Sequence, residues 1–287
     1  MKIGFIGLGN VGGKLAGSLL RNNFDLTVRD IDKNLTNPLK DLGAKVAKSP
    51  KELAEKTDLI ITPENSSVFG LTKSDLMKNT LSMHKDFFVS EVRKLARKYK
   101  KWILIGSAII KDKGKIRNRS ILINPKGNIQ TYYDKIHMYD VVLSKKEKYF
   151  ESKTYSPGNS LKSVKLPWGK LGLSICYDLR FPMMYRKLAK QGALFLSVPS
   201  SFTLTTGKKH WHALLKSRAI ENFCYIFAPA QHGLHWNKRR TYGHSLIISP
   251  DGEILKELKK GNGVITASID PNYAKILRKR IPSLVKD

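Results

Sequence analysis

The chain has 287 residues, 41% hydrophobic and 9% aromatic, enough for one large domain or two modest ones with an ample core. Its 52 Lys and Arg against 23 Asp and Glu give a net charge of +29, which permits nonspecific attraction to nucleic acid or acidic membranes. The cations are scattered, without zinc-finger spacing or an aromatic-rich RNA-binding pattern, so they read as a Lys-biased solvated surface and argue against a specific nucleic-acid reader. No apolar run approaches a membrane span, and two cysteines make no disulfide framework. Asn10 and Lys14 break the apolar N-terminal run too early for a secretory leader, so a cytoplasmic protein is expected.

Residues 3–8 read as a strand leading into Gly7-Leu8-Gly9-Asn10-Val11-Gly12. A helical stretch with Leu15, Leu19 and Leu20 follows, and residues 24–28 alternate as a second strand before Asp30. This is the order of a dinucleotide-binding β-α-β unit: Gly7, Gly9 and Gly12 let backbone N–H groups approach a pyrophosphate, and Asp30 accepts from a ribose hydroxyl. The segment resembles the N-terminal half of the 3-hydroxyisobutyrate (beta-hydroxyacid) dehydrogenase family, and the likeness continues through residues 42–61 and then stops. Nothing later resembles that family's serine-glycine motif or its lysine-bearing helix. The resemblance implies a partial Rossmann-like segment over residues 1–56, able to hold part of NAD but without means of hydride transfer.

From residue 57 the text changes character. Residues 58–65 form a buried strand that delivers Glu64 to its C-terminal end. Residues 76–100 read as one helix, with Phe87, Phe88, Val92 and Leu95 on an apolar face. A buried strand over 102–110 and a hairpin over 120–132, turning at 125–128, lead to Lys135. The strand 171–175 ends on Cys176, where Tyr177-Asp178-Leu179-Arg180 turns the chain. Then come helix 183–190, strand 193–198, helix 210–222 beginning near 206–207, strand 224–228 and a hairpin over 245–255 with an Asp-Gly turn. Strands alternating with helices indicate an α/β layered domain.

A lone cysteine usually only packs. Glu64, Lys135 and Cys176 together offer what amide hydrolysis needs: nucleophile, proton acceptor, and positive charge where an oxyanion develops. A free thiol titrates near about 8.5, so a carboxylate base and an ammonium are the means of making it attack at neutral pH. Lys135 and the backbone N–H of Tyr177 suit the tetrahedral oxyanion. Cys224 lies inside an apolar strand and reads as core. His210, His212, His232 and His235 have no thiolate or carboxylate at ligand spacing along the sequence, so no metal is expected.

Three motifs, Thr62-Pro63-Glu64-Asn65, Tyr133-Asp134-Lys135-Ile136-His137 and Ile175-Cys176-Tyr177-Asp178-Leu179-Arg180-Phe181-Pro182, resemble in order the Glu, Lys and Cys motifs of the nitrilase, or carbon-nitrogen hydrolase, superfamily. The likeness covers about residues 57–287. It implies a nitrilase-like α-β-β-α sandwich over that range, convergence of Glu64, Lys135 and Cys176, and hydrolysis that requires no cofactor. It also implies a second active-site carboxylate at Glu151, orienting the lysine and the substrate amide or water, and a homodimer or higher homo-oligomer paired through a helix face. Residues 200–222 are similar to the ω-amidase and deaminated-glutathione amidase group, with 228–233 nearer the latter. The implied substrate is a small 2-oxo acid bearing a side-chain amide. Arg180 is then assigned to its carboxylate, since a guanidinium fork suits bidentate pairing, and Tyr177, Phe202 and Thr206 line the same pocket.

Members of that superfamily normally open with a strand and helix of their own, which the dehydrogenase-like segment replaces here. Either strand 3–8 joins the hydrolase sheet, or a separate lobe leaves a strand edge and an apolar face uncovered. Two competing functions stand beside the amidase. One is an NAD-dependent 3-hydroxyacid oxidoreductase fragment, and the other a basic binding protein without catalysis.

Overall fold

The computed structural model describes residues 57–145 and 147–286, residues 40–41, and the backbone of three short N-terminal strands. Those strands, β1 (Lys2–Ile6), β2 (Asp25–Arg29) and β3 (Lys45–Val46), pair in parallel as a sheet of their own, with Lys2 opposite Asp25. Strand β1 is thus not hydrogen-bonded into either of the larger sheets. Gly7, Gly9, Gly12, Asp30 and the helix expected between the strands lie outside the described residues.

The first large sheet is built from β4 (Leu59–Ile61), β5 (Trp102–Asp112), β6 (Lys115–Ile123) and β7 (Ile129–Asp134), in that order. Its two-residue period sorts side chains to two faces. Ile103, Ile105, Ile121 and Ile123 pack outward with Val89, Val92 and Ala96 of a helix. Leu104, Leu122 and Tyr133 face the central core with Leu171 and Leu173 of the second sheet.

Before β5 come two helices, α1 (Lys73–Asn79) and α2 (Phe87–Tyr99), where the apolar spacing predicts one. The Asp86 carboxylate caps α2 by accepting from the Val89 N–H at 2.9 Å, and the Thr80 N–H closes α1 onto the Leu76 carbonyl. The buried stripe of α2 is Val89, Val92 and Ala96, while Phe87 and Leu95, expected on that face, are exposed.

The hairpin β8 (Asp140–Val142) and β9 (Lys148–Phe150) follows. The second large sheet then starts with β10 (Lys162–Leu166) and β11 (Gly169–Leu173). It continues through α3 (Pro182–Lys190), β12 (Ala193–Ser197), α4 (Leu204–Asn222) and β13 (Tyr225–Ala228). Helix α4 begins at Leu204, two or three residues before the expected start near 206–207, because the Thr203 hydroxyl caps the Thr206 N–H. A small pair, β14 (His232–Leu234) and β15 (Arg240–Tyr242), precedes the closing hairpin β16 (Ser245–Ile248) and β17 (Ile254–Leu258). Helix α5 (Pro271–Arg280) ends the described fold. The sheet order is β10-β11-β12-β13-β16-β17, parallel in the middle and antiparallel at both sides. Met184, Leu188, Trp211 and Leu215 of α3 and α4 join its core, completing an α-β-β-α arrangement. No helix among the described residues is long and apolar enough to cross a membrane.

Among the described residues, β4 pairs only with β5. Beside it lies an apolar cavity of about 200 Å³, lined by Leu59, Ile61, Phe195, Phe227 and Ile269. Among those same described residues, no cysteine, histidine, lysine or glutamate borders it.

Arg119 and Gly106, both in the first sheet, set the frame around Glu64 and Lys135. Arg119 is buried, with Nε and Nη2 on the Asp134 carboxylate at 2.7 and 2.9 Å and Nη2 on Asp112 at 2.7 Å. Removing one member of such a network strands the others. Arg119→Ala is therefore expected to cost about 3 kcal/mol in urea unfolding. Gly106 sits where β5 passes beneath the segment leading to Glu64: a Cβ there would lie 1.9 Å from the Thr62 carbonyl oxygen and 2.5 Å from that of Pro63. Gly106→Ala must push this backbone aside, and a shift of about 1 Å predicts a fall in kcat/KM of about 100-fold. Steady-state kinetics on the folded variant checks it.

Candidate active site

Glu64 stands three residues beyond β4 and is 2% exposed. Asn65 after it is left-handed (φ 58°) and held by its N–H on the Ser107 hydroxyl at 2.8 Å. One carboxylate oxygen of Glu64, Oε1, accepts from Lys135 Nζ and Asn118 Nδ2, both at 3.0 Å. The other accepts from the Ser201 N–H at 2.8 Å and the Ser201 hydroxyl at 2.5 Å. Gln231 donates to the Glu64 carbonyl at 3.0 Å. Side chain and backbone are thereby held from β6, from the end of β7 and from the loop after β12.

Lys135 follows β7 and is as buried as Glu64. Its ammonium also contacts both oxygens of Glu151, at 2.9 and 2.8 Å. Glu151 opens a short 3-10 turn after β9, and its Oε2 accepts from the Tyr139 N–H at 2.6 Å. One buried cation therefore sits between two carboxylates.

Cys176 begins a 3-10 turn, Cys176–Arg180, beyond β11. Its backbone is left-handed (φ 48°), a strained conformation for a residue with a side chain. What holds it is Asp178, fully buried, whose carboxylate accepts from the Ile175 N–H, the His137 N–H and the Tyr133 hydroxyl. The Cys176 N–H is tied to the Pro199 carbonyl at 2.9 Å. The strained turn sets the thiol on the same cavity wall as the Glu64 carboxylate, near enough for each to shift the other's proton affinity.

Electrostatics set the resting protonation states. Burial raises the Glu64 pKa, but Lys135, Ser201 and Cys176 together outweigh it and hold the carboxyl below its usual range. Burial alone lowers the Lys135 pKa, yet Glu151 and Glu64 keep the ammonium well above the ordinary lysine value. For Cys176, burial and then the Glu64 carboxylate push the thiol far up, against the smaller opposing pull of Lys135. At neutral pH the site thus holds an ionised Glu64, a charged Lys135 and a protonated thiol. That suits proton transfer to Glu64 during attack, rather than a standing thiolate.

A cavity of about 290 Å³ opens over Cys176, bordered by Glu64, Lys135 and Glu151. Tyr177, Phe202 and Thr206, expected in the pocket, line it. Arg180 does not: its guanidinium approaches His210 Nδ1 at 3.3 Å and lies over the Phe202 ring, because the 3-10 turn carries it away from the thiol. The guanidinium bordering the cavity is that of Arg239, which donates to the Ser201 carbonyl at 2.8 Å and lies over the rings of Phe69 and Tyr149. Cys224 is buried against the Ala193 carbonyl and does not border the cavity.

Asn118, Ser201 and Arg239 are site residues that the sequence does not single out. Asn118 and Ser120 are polar side chains that lead into the apolar end of β6, a signal that buried hydrogen-bond partners exist. Ser201 is a serine of the loop after β12, and its residue type alone does not mark it. Arg239 is one of 52 cationic residues, and only the fold singles it out.

The carbon-nitrogen hydrolase family model matches residues 32–279, starting upstream of the residue 57 at which the hydrolase-like motifs become readable. Deaminated glutathione amidase from Yersinia enterocolitica is 37% identical over 250 residues, 85% of this chain and 87% of that protein. The protein of the same name from Synechocystis sp. is 38% identical over 257 residues, 88% of this chain and 92% of its own length. Among solved structures, the Caenorhabditis elegans NitFhit protein superposes with a TM-score of 0.75 at 35% identity. That match covers 82% of this chain and 57% of the longer NitFhit chain. With a family model spanning most of the sequence and relatives of nearly equal length, this chain belongs to the carbon-nitrogen hydrolase family.

Proposed function

We propose that the chain is an amidase acting on the side-chain amide of a small 2-oxo acid, of the deaminated glutathione or 2-oxoglutaramate type, through a cysteine thioester. The observation that carries this reading is the buried Glu64–Lys135–Glu151 network set against the Cys176 thiol on the wall of the cavity. The relatives named as deaminated glutathione amidases support the substrate class.

In the first half-reaction the Cys176 sulfur attacks the amide carbon while Glu64 takes the thiol proton. Lys135 and the Tyr177 N–H stabilise the oxygen as it becomes negative. Glu64 then returns the proton to the nitrogen, the carbon–nitrogen bond breaks, and ammonia leaves a thioester on Cys176. Water enters, Glu64 takes one of its protons, and collapse releases the carboxylic acid and restores the thiol. Glu151 holds the ammonium on the side away from Glu64 and orients the amide or the water.

Arg239, rather than Arg180, pairs with a substrate carboxylate in this reading. Arg239→Ala should raise KM at least about 10-fold for carboxylate-bearing amides while changing kcat less, as expected for loss of uniform binding. The decisive experiment is an ammonia-release screen over deaminated glutathione, 2-oxoglutaramate and matched amides lacking the 2-oxo group. Turnover of the 2-oxo compounds supports the substrate class, and equal turnover of all amides removes it.

The parallel pairing of β1 and β2 supports a β-α-β reading of residues 1–56, to be tested by NAD titration; absence of binding at millimolar NAD eliminates it. Resemblance to the family supports a homodimer, which sedimentation equilibrium tests.

A further inference from the structure

Away from the cavity, three side chains distant in sequence converge. His212 comes from α4, His244 from the corner between β15 and β16, and Glu257 from β17. Glu257 Oε1 lies 2.9 Å from His212 Nε2 and 2.5 Å from His244 Nδ1. The three ligand-capable atoms all fall within 4.8 Å of one another. His244 reaches this position from a left-handed backbone (φ 57°), and its ring stacks on Tyr242 at 4.0 Å. The two imidazoles meet edge to face at 5.1 Å. None of the three borders the catalytic cavity, and nothing in the proposed hydrolysis uses them.

We propose that His212, His244 and Glu257 form a binding site for a divalent transition-metal ion, with Zn²⁺ the ion their donor set suits. Two imidazole nitrogens and one carboxylate oxygen match a borderline ion and not Mg²⁺ or Ca²⁺, which take oxygen ligands. With ligand bonds of about 2.0–2.2 Å, tetrahedral donors stand roughly 3.4 Å apart. The carboxylate therefore has to back away by less than about 1 Å, and the two ring nitrogens, up to 4.8 Å apart, have to close by up to roughly 1.4 Å through side-chain rotation. Each ring nitrogen now facing Glu257 must present a lone pair. A neutral ring does so by carrying its proton on the other nitrogen, and a protonated ring by releasing it to solvent. All three side chains are part-exposed, at 31%, 18% and 18%, so the ion has a way in and a water can take the fourth position. The ion would act as a brace, not a reaction centre. It would tie α4 to the β16–β17 hairpin beside β15, whose Tyr242 N–H donates to the Phe202 carbonyl and whose Thr241 bridges Thr203.

The test uses the full chain with Cys176 carboxamidomethylated, so that its thiol cannot compete. Zn²⁺ is titrated by calorimetry, Co²⁺ by its visible absorption, and thermal unfolding is recorded with and without Zn²⁺. The expected result is one saturable site per chain, a higher Tm with Zn²⁺, and affinity weakened at least about 10-fold in both His244→Ala and Glu257→Gln. Glu257→Gln keeps a hydrogen-bond acceptor and covers the case in which His244→Ala does not fold. His232→Ala should leave binding unchanged. Absence of saturable binding at millimolar Zn²⁺, or undiminished affinity in Glu257→Gln, overturns the site.

Discussion

Cys176→Ala will abolish ammonia release, lowering kcat by at least about 10,000-fold, while the protein stays folded. The thiol is the group in the cavity best suited to form a covalent bond to the amide carbon, and neither carboxylate can replace it without giving up its ion pair with Lys135. The change removes one sulfur atom from a turn held by Asp178 and by the Cys176 N–H, both of which survive it. Stability should therefore change by no more than about 1 kcal/mol. Circular dichroism and urea unfolding check the fold, and mass spectrometry after quenching checks for the thioester in the parent protein. Turnover by the alanine variant within ten-fold of the parent would sink the mechanism. Cys176→Ser supplies a second reading, since a hydroxyl of much higher pKa in the same position should also be inactive.

Lys135→Met carries the second large effect, on stability as well as rate. Two carboxylates, at 3% and 12% side-chain exposure, lose the cation they share. Breaking a buried pair of this kind costs about 3–5 kcal/mol, because the partners remain in a dry site. Loss of oxyanion stabilisation should add a fall in kcat of at least about 1,000-fold. The pH dependence has a sign that separates this account from simple misfolding. In the parent protein the Glu64 pKa is depressed below its unfolded value near about 4.3, so its contribution is present above that pH and lost as pH falls. Lys135 is raised, so its contribution is full below about 10.4 and lost only as pH rises through the folded value. Without Lys135, burial dominates Glu64 and lifts its pKa, so the variant should gain stability as pH falls where the parent loses it. Urea midpoints measured on both proteins across the acid range give the comparison. Parallel curves would mean that the Lys135 ion pairs do not stabilise the fold. Adding Glu151→Gln to Lys135→Met should recover part of the loss.

The candidate residues were legible because Glu64 and Cys176 follow apolar strands and Lys135 follows a hairpin strand. For β4 and β11 an apolar run announces where the polar end must emerge, whereas Lys135 was legible from its place after the hairpin and from the motif around it. The hairpin turning at 125–128 and the Asp-Gly hairpin near residue 251 were legible for a similar reason, since turn chemistry is local. Helix bounds were less so. Apolar spacing alone runs α1 into α2, and the break over residues 80–86 ends on Asp86, whose cap a periodicity count does not register.

The sequence by itself determined the family and much of the succession of strands and helices beyond residue 57, and it put forward Glu64, Lys135 and Cys176 as base, cation and nucleophile. These are properties of local pattern and of motifs short enough to read. Only the tertiary structure decided which cation borders the cavity, since Arg180 and Arg239 differ by how two loops fold back and not by their neighbours in sequence. It also decided that β1 pairs in a sheet apart, leaving one edge of β4 beside an apolar cavity, and that His212 meets His244 and Glu257. Each of these depends on contacts between residues far apart in the chain. Spacing carries no information about them, and packing supplies it.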